Sequence, residues 1–342
     1  MTAITDADQS VDKPTIGLTL GDVAGIGPEV VVRACADPRV LECCRPVVFG
    51  HPDILGKVGI ARHTRSNCIT ACDEAVLDVP PGTVDARAGR AARDCLVAAT
   101  ESALRGEIDA LVTAPLNKAA LRLAGFDVPG HTEILAELCG VDRYAMMLYL
   151  RSGVVSPQGL CVAHVTLHTS IASVPDLLTS DGIVETIELV GGFLRDVGCN
   201  TPRIAVCALN PHAGEDGLFG DEEARIIAPA VETARSAGRN VAGPLPADTL
   251  IRRAVNGEFD GLVAMYHDQG HIPFKLIGFD RAVNVTLGLP IVRTSPSHGT
   301  AFDIAGTGAA DPAGMIEAVR VAVLLAKSRR GVATGIDPSP GF

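Results

Sequence analysis

Short apolar runs alternate with helix-like segments along nearly the whole chain, and this alternation is the strongest constraint on its fold. The apolar runs have the length of buried strands, whereas the segments between them carry helical periodicity and are rich in Ala, Glu, Arg and Leu. The predicted strands are residues 15–20, 45–50, 109–113, 144–150, 159–167, 203–209 and 260–266. The predicted helices include Ala91–Arg105, Asp181–Val197, Asp221–Ala237 and Asp311–Ser328. The pattern predicts a three-layer α/β/α protein.

The composition narrows the classes of function. With 342 residues, of which 47% are hydrophobic, the chain can bury one large core or two ordinary ones. Its net charge of −11 argues against nucleic acid or anionic lipid as a partner, so an anionic ligand needs a local basic pocket. The polar, acidic N-terminus leads us to expect no secretory signal, and no apolar run approaches the roughly 18 residues of a membrane span. Ten cysteines without a CxxC pair indicate reduced thiols in a cytoplasmic protein.

Three histidines follow apolar runs that are predicted to be strands. His168 lies in HVTLHTS, His212 in LNPHAGE and His267 in YHDQGHIPFK. Neutral imidazoles suit zinc and similar divalent metals, and three protein ligands with an open position are typical of a catalytic site. His271 is four residues after His267, but Gly270 and Pro273 argue against a helical HxxxH pair. We therefore predict His267 alone as the ligand from this segment. A single strand-end histidine is more often a hydrogen-bonded structural residue, so the prediction depends on all three together.

Two glycine-containing segments are candidates for binding an anion. GDVAGIGPEV follows the first strand and opens a helix, which leaves free backbone N–H groups, but Val30 stands where a Rossmann fingerprint needs its third glycine. A tight turn with Pro28 at the helix start explains the same residues. In PGHTEIL, Thr132 is predicted to cap a helix, with His131 presented from the preceding loop. Both are phosphate-site candidates, although capping alone explains Thr132.

Downstream of the histidine segment, three polar residues are surrounded by apolar sequence. Lys275, Asn284 and Arg293 supply an ammonium, an amide and a guanidinium, which suit phosphate or carboxylate recognition at a buried cleft. The alternative is that the two cations are ordinary surface charges. The following segment, SPSHGTAFDIAGTGAADP, contains His298 and Asp303 between glycines and predicts a polar loop that wraps an adenosine.

The chain resembles the 4-hydroxythreonine-4-phosphate dehydrogenase family in eight ordered motifs from Thr15 to about Lys327. The motifs are GDVAGIGPE, TAPLNK, PGHTE, NPHAGE, GPLPADT, YHDQG, NVTLGLP and RTSPSHGTAFDIAG. The last one is also similar to the NAD loop of isocitrate and isopropylmalate dehydrogenases. The resemblance implies their two-domain α/β fold with the active cleft between the domains. We expect residues 14–125 with 285–330 to form the NAD-loop domain, residues 126–284 to carry the metal ligands and dimer interface, and residues 1–13 and 331–342 to be flexible termini.

The resemblance also implies the site residues and the partners. One divalent metal (Zn, Co, Ni, Mn or Mg) would bind at His168, His212 and His267, shared between the subunits of a homodimer. The substrate residues would be His131, Thr132, Lys275, Asn284 and Arg293. NAD, with NADP as the alternative, would bind at His298, Gly299, Thr300 and Asp303. Lys275 or Asp268 would carry the proton in catalysis.

The implied reaction is NAD-dependent oxidation of a phosphorylated four-carbon hydroxy acid, followed by loss of carbon dioxide. His271 replaces an apolar residue that is typical of the family's vitamin B6 biosynthetic members, and so indicates the catabolic branch that acts on D-threonate or D-erythronate 4-phosphate. Relatives that oxidise aromatic cis-dihydrodiols also carry this histidine. His131, Thr132, Lys275 and Arg293 favour a phosphorylated substrate. A metal-dependent phosphohydrolase is the alternative from another class, but it leaves HGTAFDIAG without a role; a non-catalytic metal or metabolite sensor has no supporting motif.

Overall fold

The computed structural model of the protein describes residues 13–59, 67–128, 130–154 and 159–331. The predicted flexible termini lie almost entirely outside these described residues. Within the described part, the structure contains eleven strands: β1 (Thr15–Thr19), β2 (Arg45–Gly50), β3 (Cys68–Thr70), β4 (Ala110–Thr113), β5 (Ala145–Leu150), β6 (Leu160–His164), β7 (Ile204–Cys207), β8 (Val241–Leu245), β9 (Gly261–Ala264), β10 (Val283–Leu287) and β11 (Arg293–Pro296).

Helices separate most of these strands, as the alternation in the sequence predicts. They are α1 (Gly27–Ala36), α2 (Pro38–Cys43), α3 (Pro52–Lys57), α4 (Ala86–Leu104), α5 (Lys118–Leu123), α6 (His131–Cys139), α7 (Val174–Leu177), α8 (Ser180–Asp196), α9 (Ala228–Ser236), α10 (Ala247–Val255), α11 (His267–Gly278) and α12 (Ala313–Arg329). All seven predicted strands and all four predicted helices are present, with ends that differ by a few residues. The mixed α/β class is confirmed.

The chain divides into two compact units. Among the described residues, the first comprises those up to Val128 together with His298–Lys327, and the second comprises those from Gly130 to Ser297 with the end of α12. Residues 285–297 belong to the second unit, whereas the sequence analysis assigned them to the first. The reason is that β10 pairs with β5 and with β11, which anchors this segment in the second unit. The roles assigned to the two domains stay predictions.

The first unit is built on four parallel strands in the order β3-β2-β1-β4. β1 and β4 are almost completely buried apolar runs, as expected for parallel strands covered on both faces. Local chemistry sets where the helices begin: Pro28 lies in the first turn of α1, and Asp85 caps α4 by accepting the backbone N–H of Arg87.

The second unit has a mixed sheet in the order β11-β10-β5-β6-β9-β7-β8. β6, β9, β7 and β8 are parallel, whereas β5, β10 and β11 are joined by antiparallel pairings. β9 lies between β6 and β7, so the carboxyl ends of these three parallel strands are neighbours at one edge of the sheet. This topology places the segments that carry the predicted metal ligands side by side.

No helix among the described residues has both the length and the apolar character that crossing a membrane requires.

The close packing of α4 against α5 gives a stability prediction with a matched control. A Cβ on Gly89 of α4 would lie 2.1 Å from the carbonyl oxygen of Ala120 in α5, and a backbone atom cannot rotate away. Gly89→Ala is therefore expected to lower the free energy of unfolding by about 1–3 kcal/mol, despite the better helix propensity of alanine. Gly192 of α8 has no such neighbour within 4 Å, so Gly192→Ala should raise stability by about 0.5–1 kcal/mol. Urea unfolding checks both, and equal shifts would contradict the packing argument.

Candidate functional site

The three predicted metal ligands lie in segments that follow neighbouring strands at one edge of the second unit's sheet, but their rings do not form one cluster. His168 follows β6, His267 is the first residue of α11 after β9, and His212 follows β7. The rings of His168 and His267 have centroids 5.6 Å apart, whereas the ring of His212 lies 6.3 Å from that of Phe219. Among the described residues of one chain, no group of three His, Cys, Asp or Glu side chains is positioned to hold a metal ion.

His168 and His267 nevertheless fit a shared ion. Two imidazoles bound to one tetrahedral zinc have ring centroids roughly 5 Å apart, given Zn–N bonds of about 2 Å. The separation of 5.6 Å is close to this value. The structure thus brings two predicted ligands together and leaves His212 on a separate loop.

Asp268 sets the orientation of His267. The Nδ1 of His267 lies 2.7 Å from the Oδ1 of Asp268, and because a carboxylate accepts, Nδ1 carries the proton. The lone pair of His267 is then on Nε2. This carboxylate–histidine pair is the arrangement that commonly orients a metal-binding imidazole. The contact fixes the ring of His267, and the predicted catalytic role of Asp268 stays a prediction.

A buried histidine that the sequence analysis did not single out, His164, lies at the end of β6. Its Nδ1 is 3.2 Å from the carbonyl oxygen of Met146, so it donates there and its Nε2 accepts. The Nδ1 of His271 lies 3.1 Å from that Nε2 and is the donor. The chain of hydrogen bonds leaves the Nε2 of His271 as an acceptor. Burial lowers the pKa of His164 to about 4 and that of His271 to about 2, so both rings are neutral at neutral pH.

The prediction that Gly270 and Pro273 prevent a helical pair of histidines is wrong. α11 runs from His267 to Gly278 through both residues. Gly270 is required for packing here, because a Cβ would lie 2.4 Å from the Nε2 of His164. His267 and His271 lie on one face of the helix, with stacked rings whose centroids are 3.8 Å apart at 13°. Nearly parallel stacked rings do not direct their lone pairs at one ion, which agrees with a single ligand from this segment.

Lys275 lies one turn beyond His271 on α11. Its positive charge contributes to the low pKa of His271, after burial and the neighbouring imidazoles, so the ammonium is close to this histidine group. Its Nζ is 5.9 Å from the ring centroid of Phe279. The predicted proton carrier is therefore near His271.

Arg293 and Asn284 are brought together by strand pairing. In the antiparallel pairing of β10 and β11, Thr286 lies opposite Arg293. The Nη1 of Arg293 donates to the Thr286 Oγ1 at 2.9 Å. Arg293 is only 2% exposed, and burial lowers its pKa to about 10, which still leaves it charged at neutral pH. Asn284 lies two residues before Thr286 on the same face, and its buried Oδ1 has no hydrogen-bond partner among the described residues. Arg293 is thus not an ordinary surface charge.

α6 begins at His131, so Thr132 lies inside its first turn, and Gly130 is the capping residue. The prediction that Thr132 caps the helix is wrong, because the glycine before His131 takes the non-helical position. Thr132 is buried. The charge of Glu133 partly offsets the effect of burial on the pKa of Arg293, so the start of α6 lies near that guanidinium. The start of α6, with His131 and Thr132, is therefore within electrostatic range of Arg293.

In the first unit, the β1–α1 segment holds the predicted NAD loop at three points. The backbone N–H of Ile26 donates to Thr300 at 2.9 Å, and the carboxylate of Glu29 accepts the N–H of Gly306 at 2.6 Å. Arg33 donates to the carbonyls of Gly308 and Ala310, each at 2.6 Å. Gly25 permits this approach, because a Cβ there would lie 2.7 Å from the Thr300 carbonyl oxygen.

A cavity of about 430 Å³ lies between these two segments, lined by Gly25, Glu29, Arg33, Lys57 and Gly306 among others. His298 donates from Nδ1 to the carbonyl of Gly299 at 3.1 Å, and its buried Nε2 has no hydrogen-bond partner among the described residues. Asp303 is exposed. The loop therefore offers an unused acceptor, an exposed carboxylate and backbone groups, which suit the hydroxyls of a nucleotide.

Comparison with known proteins identifies the family of the chain. The model of the PdxA family, pyridoxal phosphate biosynthetic protein PdxA, matches residues 42–322. The chain belongs to this family. It is 45% identical to a 4-hydroxythreonine-4-phosphate dehydrogenase of Desulfosudis oleivorans, over 91% of this chain and 96% of the relative. It is 44% identical to a D-threonate 4-phosphate dehydrogenase of Salmonella typhimurium, over 92% and 100%.

A solved structure is also similar. It is that of a 4-hydroxythreonine-4-phosphate dehydrogenase from Klebsiella pneumoniae, with a TM-score of 0.79 and 42% identity, covering 93% of this chain and 99% of the other. The family resemblance read from the motifs is confirmed, and the relatives are dehydrogenases.

Residues missed by the sequence analysis include His164, Thr286 and Glu133. His164 had a readable signal, because it ends the apolar run of β6 and only a hydrogen-bonded polar group is tolerated there. Thr286 and Glu133 had none, since their contacts with Arg293 depend on strand register and on where α6 packs.

Asp22 in the β1–α1 segment gives a pH-dependent prediction. Burial raises the pKa of its carboxyl to about 6, and its Oδ2 has no hydrogen-bond partner among the described residues. Because the native state holds this proton more tightly than the unfolded chain, the stabilising contribution of Asp22 is present at low pH and is lost as the pH rises through about 6. The stability of Asp22→Asn relative to the parent should therefore increase by roughly 1–1.5 kcal/mol from pH 5 to pH 7.5. Urea unfolding at the two pH values checks this, and a difference that does not change with pH contradicts it.

Proposed function

We propose that the protein is an NAD-dependent and divalent-metal-dependent dehydrogenase that oxidises and decarboxylates a phosphorylated four-carbon hydroxy acid. The substrate would be of the D-threonate 4-phosphate or 4-hydroxythreonine 4-phosphate class, as the names of its relatives suggest. The observation that carries the proposal is the histidine group at the carboxyl ends of β6 and β9, in which the rings of His168 and His267 lie 5.6 Å apart and Asp268 holds the Nδ1 of His267.

The residues proposed to hold the metal are His168, His212 and His267. Support comes from the spacing of His168 and His267 and from the hydrogen bond by which Asp268 holds the Nδ1 of His267. We propose that the site is completed between two subunits, because one chain does not bring His212 to the other two rings. An uncharged nitrogen donor set of this kind suits zinc, cobalt or nickel better than magnesium.

An exposed apolar stripe supports a homodimer. Ile272, Leu276 and Phe279 lie along one side of α11 and the turn after it, and they are 57%, 84% and 53% exposed. Leu218 and Phe219, just after the His212 segment, are also exposed. Apolar side chains next to a candidate site are costly to leave in water, and a second copy of the chain would cover them. Light scattering that gives the mass of a monomer would count against this arrangement.

The substrate's anionic groups are proposed to bind His131, Thr132, Asn284, Arg293 and Lys275. The N-terminus of α6 would offer backbone N–H groups to an anion, and Arg293 brings a buried positive charge. The unpartnered Oδ1 of Asn284 suits a substrate hydroxyl as donor. These features explain recognition of a phosphate and a carboxylate by a chain with a net charge of −11.

The dinucleotide is proposed to bind the loop with His298, Gly299, Thr300 and Asp303. The free acceptor of His298 and the adjoining cavity support this location. Asp303 would accept a ribose hydroxyl and repel a 2′-phosphate, which favours NAD over NADP.

When bound, the dinucleotide supplies a hydride acceptor and the metal supplies a Lewis acid. The chain's own residues bind, orient and handle the proton. Arg293 and the start of α6 would fix the substrate's anionic groups. Lys275, with its side chain as the free amine, would take the hydroxyl proton, since it lies one turn beyond His271 on α11. Asp268 would keep His267 in place rather than move the proton itself.

The first test is NADH formation at 340 nm with purified protein, NAD and a divalent metal. Activity is expected on at least one of 4-hydroxythreonine 4-phosphate, D-threonate 4-phosphate and D-erythronate 4-phosphate. Activity on an aromatic cis-dihydrodiol alone would contradict the phosphate pocket. Phosphate release without NAD would replace the dehydrogenase with a phosphohydrolase.

The second test separates binding of the metal by His267 from orientation of the His267 ring by Asp268. His267→Ala should lower kcat/KM by more than about 100-fold, whereas Asp268→Asn should weaken metal affinity by about 10–100-fold and leave the fold intact. Metal titration of the metal-free protein, together with kinetics at saturating metal, measures both. Full activity and unchanged affinity in His267→Ala would remove it from the metal site.

A further inference from the structure

The loop that carries His212 has an unusual backbone. Residues 212–216 all have positive φ, with values of 53°, 55°, 82°, 44° and 53°. Only Gly214 among them is a glycine, and for other residues the left-handed region costs about 1–2 kcal/mol each. A run of five such residues does not persist unless the surroundings hold it.

Hydrophobic burial does not hold this left-handed turn. His212, Glu215 and Asp216 are exposed, and Gly214 is the member that is buried. The hydrogen bonds from the N–H of Leu218 to Glu215 and from the N–H of Phe219 to Gly214 are both 3.1 Å long and tie the turn to the residues that follow it. The residues between β7 and the turn need a separate anchor.

Glu223 provides that anchor. Its Oε1 accepts the backbone N–H groups of Leu209 and Asn210 at 2.8 and 2.7 Å, and its Oε2 accepts the side-chain amide of Asn210 at 3.0 Å. The carboxylate is buried, at 6% exposure, where hydrogen bonds to a charged acceptor are strong. Asn210 stands two residues before His212, so these bonds fix the chain where it enters the turn.

The turn also folds directly over this carboxylate. A Cβ on Gly214 would lie 2.8 Å from the Oε2 of Glu223, so the glycine allows the contact. Glu223 itself begins a π-helical turn, Glu223–Ile227, immediately before α9. Such wide turns change the direction of side chains relative to the helix that follows and recur at functional sites.

We propose that Glu223 is a positioning residue, which holds the left-handed turn at 212–216 and thereby sets the place of the His212 imidazole. This inference rests on the proposed function, because the proposed function assigns His212 to the metal site. Glu223 itself does not touch the metal or the substrate. It acts through three hydrogen bonds to the two residues that precede Pro211.

The experiment compares Glu223→Ala and Glu223→Gln with a matched control, Glu232→Gln, which removes an exposed charge from α9 away from the turn. Cobalt(II) is titrated into metal-free, full-length protein and followed by its visible absorption. Glu223→Ala should weaken cobalt binding by about 10–100-fold, the effect typical of losing a residue that keeps a metal ligand in place. Glu223→Gln keeps one carbonyl acceptor for the backbone amides and should weaken it less, and Glu232→Gln should not change it.

Two further readouts separate positioning from general stability. Hydrogen exchange at Leu209 and Asn210 should accelerate in Glu223→Ala, and saturating cobalt should restore kcat nearly to the parent value. Unchanged cobalt affinity in Glu223→Ala, while His212→Ala weakens it, overturns this inference alone. Unchanged affinity in His212→Ala overturns the proposed metal site instead. If Glu223→Ala does not fold, the Glu223→Gln variant decides, and parent-like affinity with parent-like exchange there overturns the inference.

Discussion

The hydrogen bond between His271 and His164 is the contact on which the geometry of the histidine group depends. It joins α11 to β6 in the interior of the second unit, at a point where Gly270 lets the helix approach the strand. A neutral hydrogen bond contributes only about 1 kcal/mol net, but an unpaired buried imidazole would cost about 1–3 kcal/mol. The pair therefore selects one placement of the helix, and His267 stacks on His271 in that placement.

The orientation of the imidazoles follows from this contact in a definite order. The carbonyl of Met146 fixes the tautomer of His164, which fixes that of His271. Asp268 separately fixes that of His267. The Nε2 of His164 accepts the hydrogen bond from His271, the Nε2 atoms of His267 and His271 are left as acceptors, and low pKa values keep the two buried rings, His164 and His271, neutral. Neutral imidazoles are the form that binds a divalent metal, so these hydrogen bonds are compatible with the proposed metal site.

Most of the fold could be predicted from the sequence, because apolar runs and helical periodicity are local signals. β2 is found at the predicted residues, and β1 and β5 differ from prediction by one residue at an end. The site was less predictable where it depends on packing. Gly270 and Pro273 suggested a break, yet α11 continues through both. The glycine is there because the helix packs closely against His164, not because the helix ends. Thr132 matched a capping residue, but Gly130 takes that position.

Contacts distant in sequence had no local signal at all. The bond from Arg293 to Thr286 follows from the antiparallel register of β10 and β11, which a single strand does not encode. The left-handed conformation of residues 212–216 was equally hidden, since a run of five residues at positive φ is rare and Ala213 and Glu215 in particular do not favour it. Positions like these, where local preference and observed structure disagree, are the ones at which function is expected.

The electrostatics of the second unit show why net charge is a poor guide to this chain's ligand. The net charge of the whole chain is −11. Arg293 is nevertheless only 2% exposed, and it stays charged because its pKa falls only to about 10. Surface carboxylates are screened over about 8–10 Å by salt, whereas a buried guanidinium is screened much less. Glu133 offsets part of its field, and the start of α6 adds to it. A phosphate or carboxylate at this place would therefore respond to the buried cation more than to the acidic surface, and its binding should depend only weakly on ionic strength.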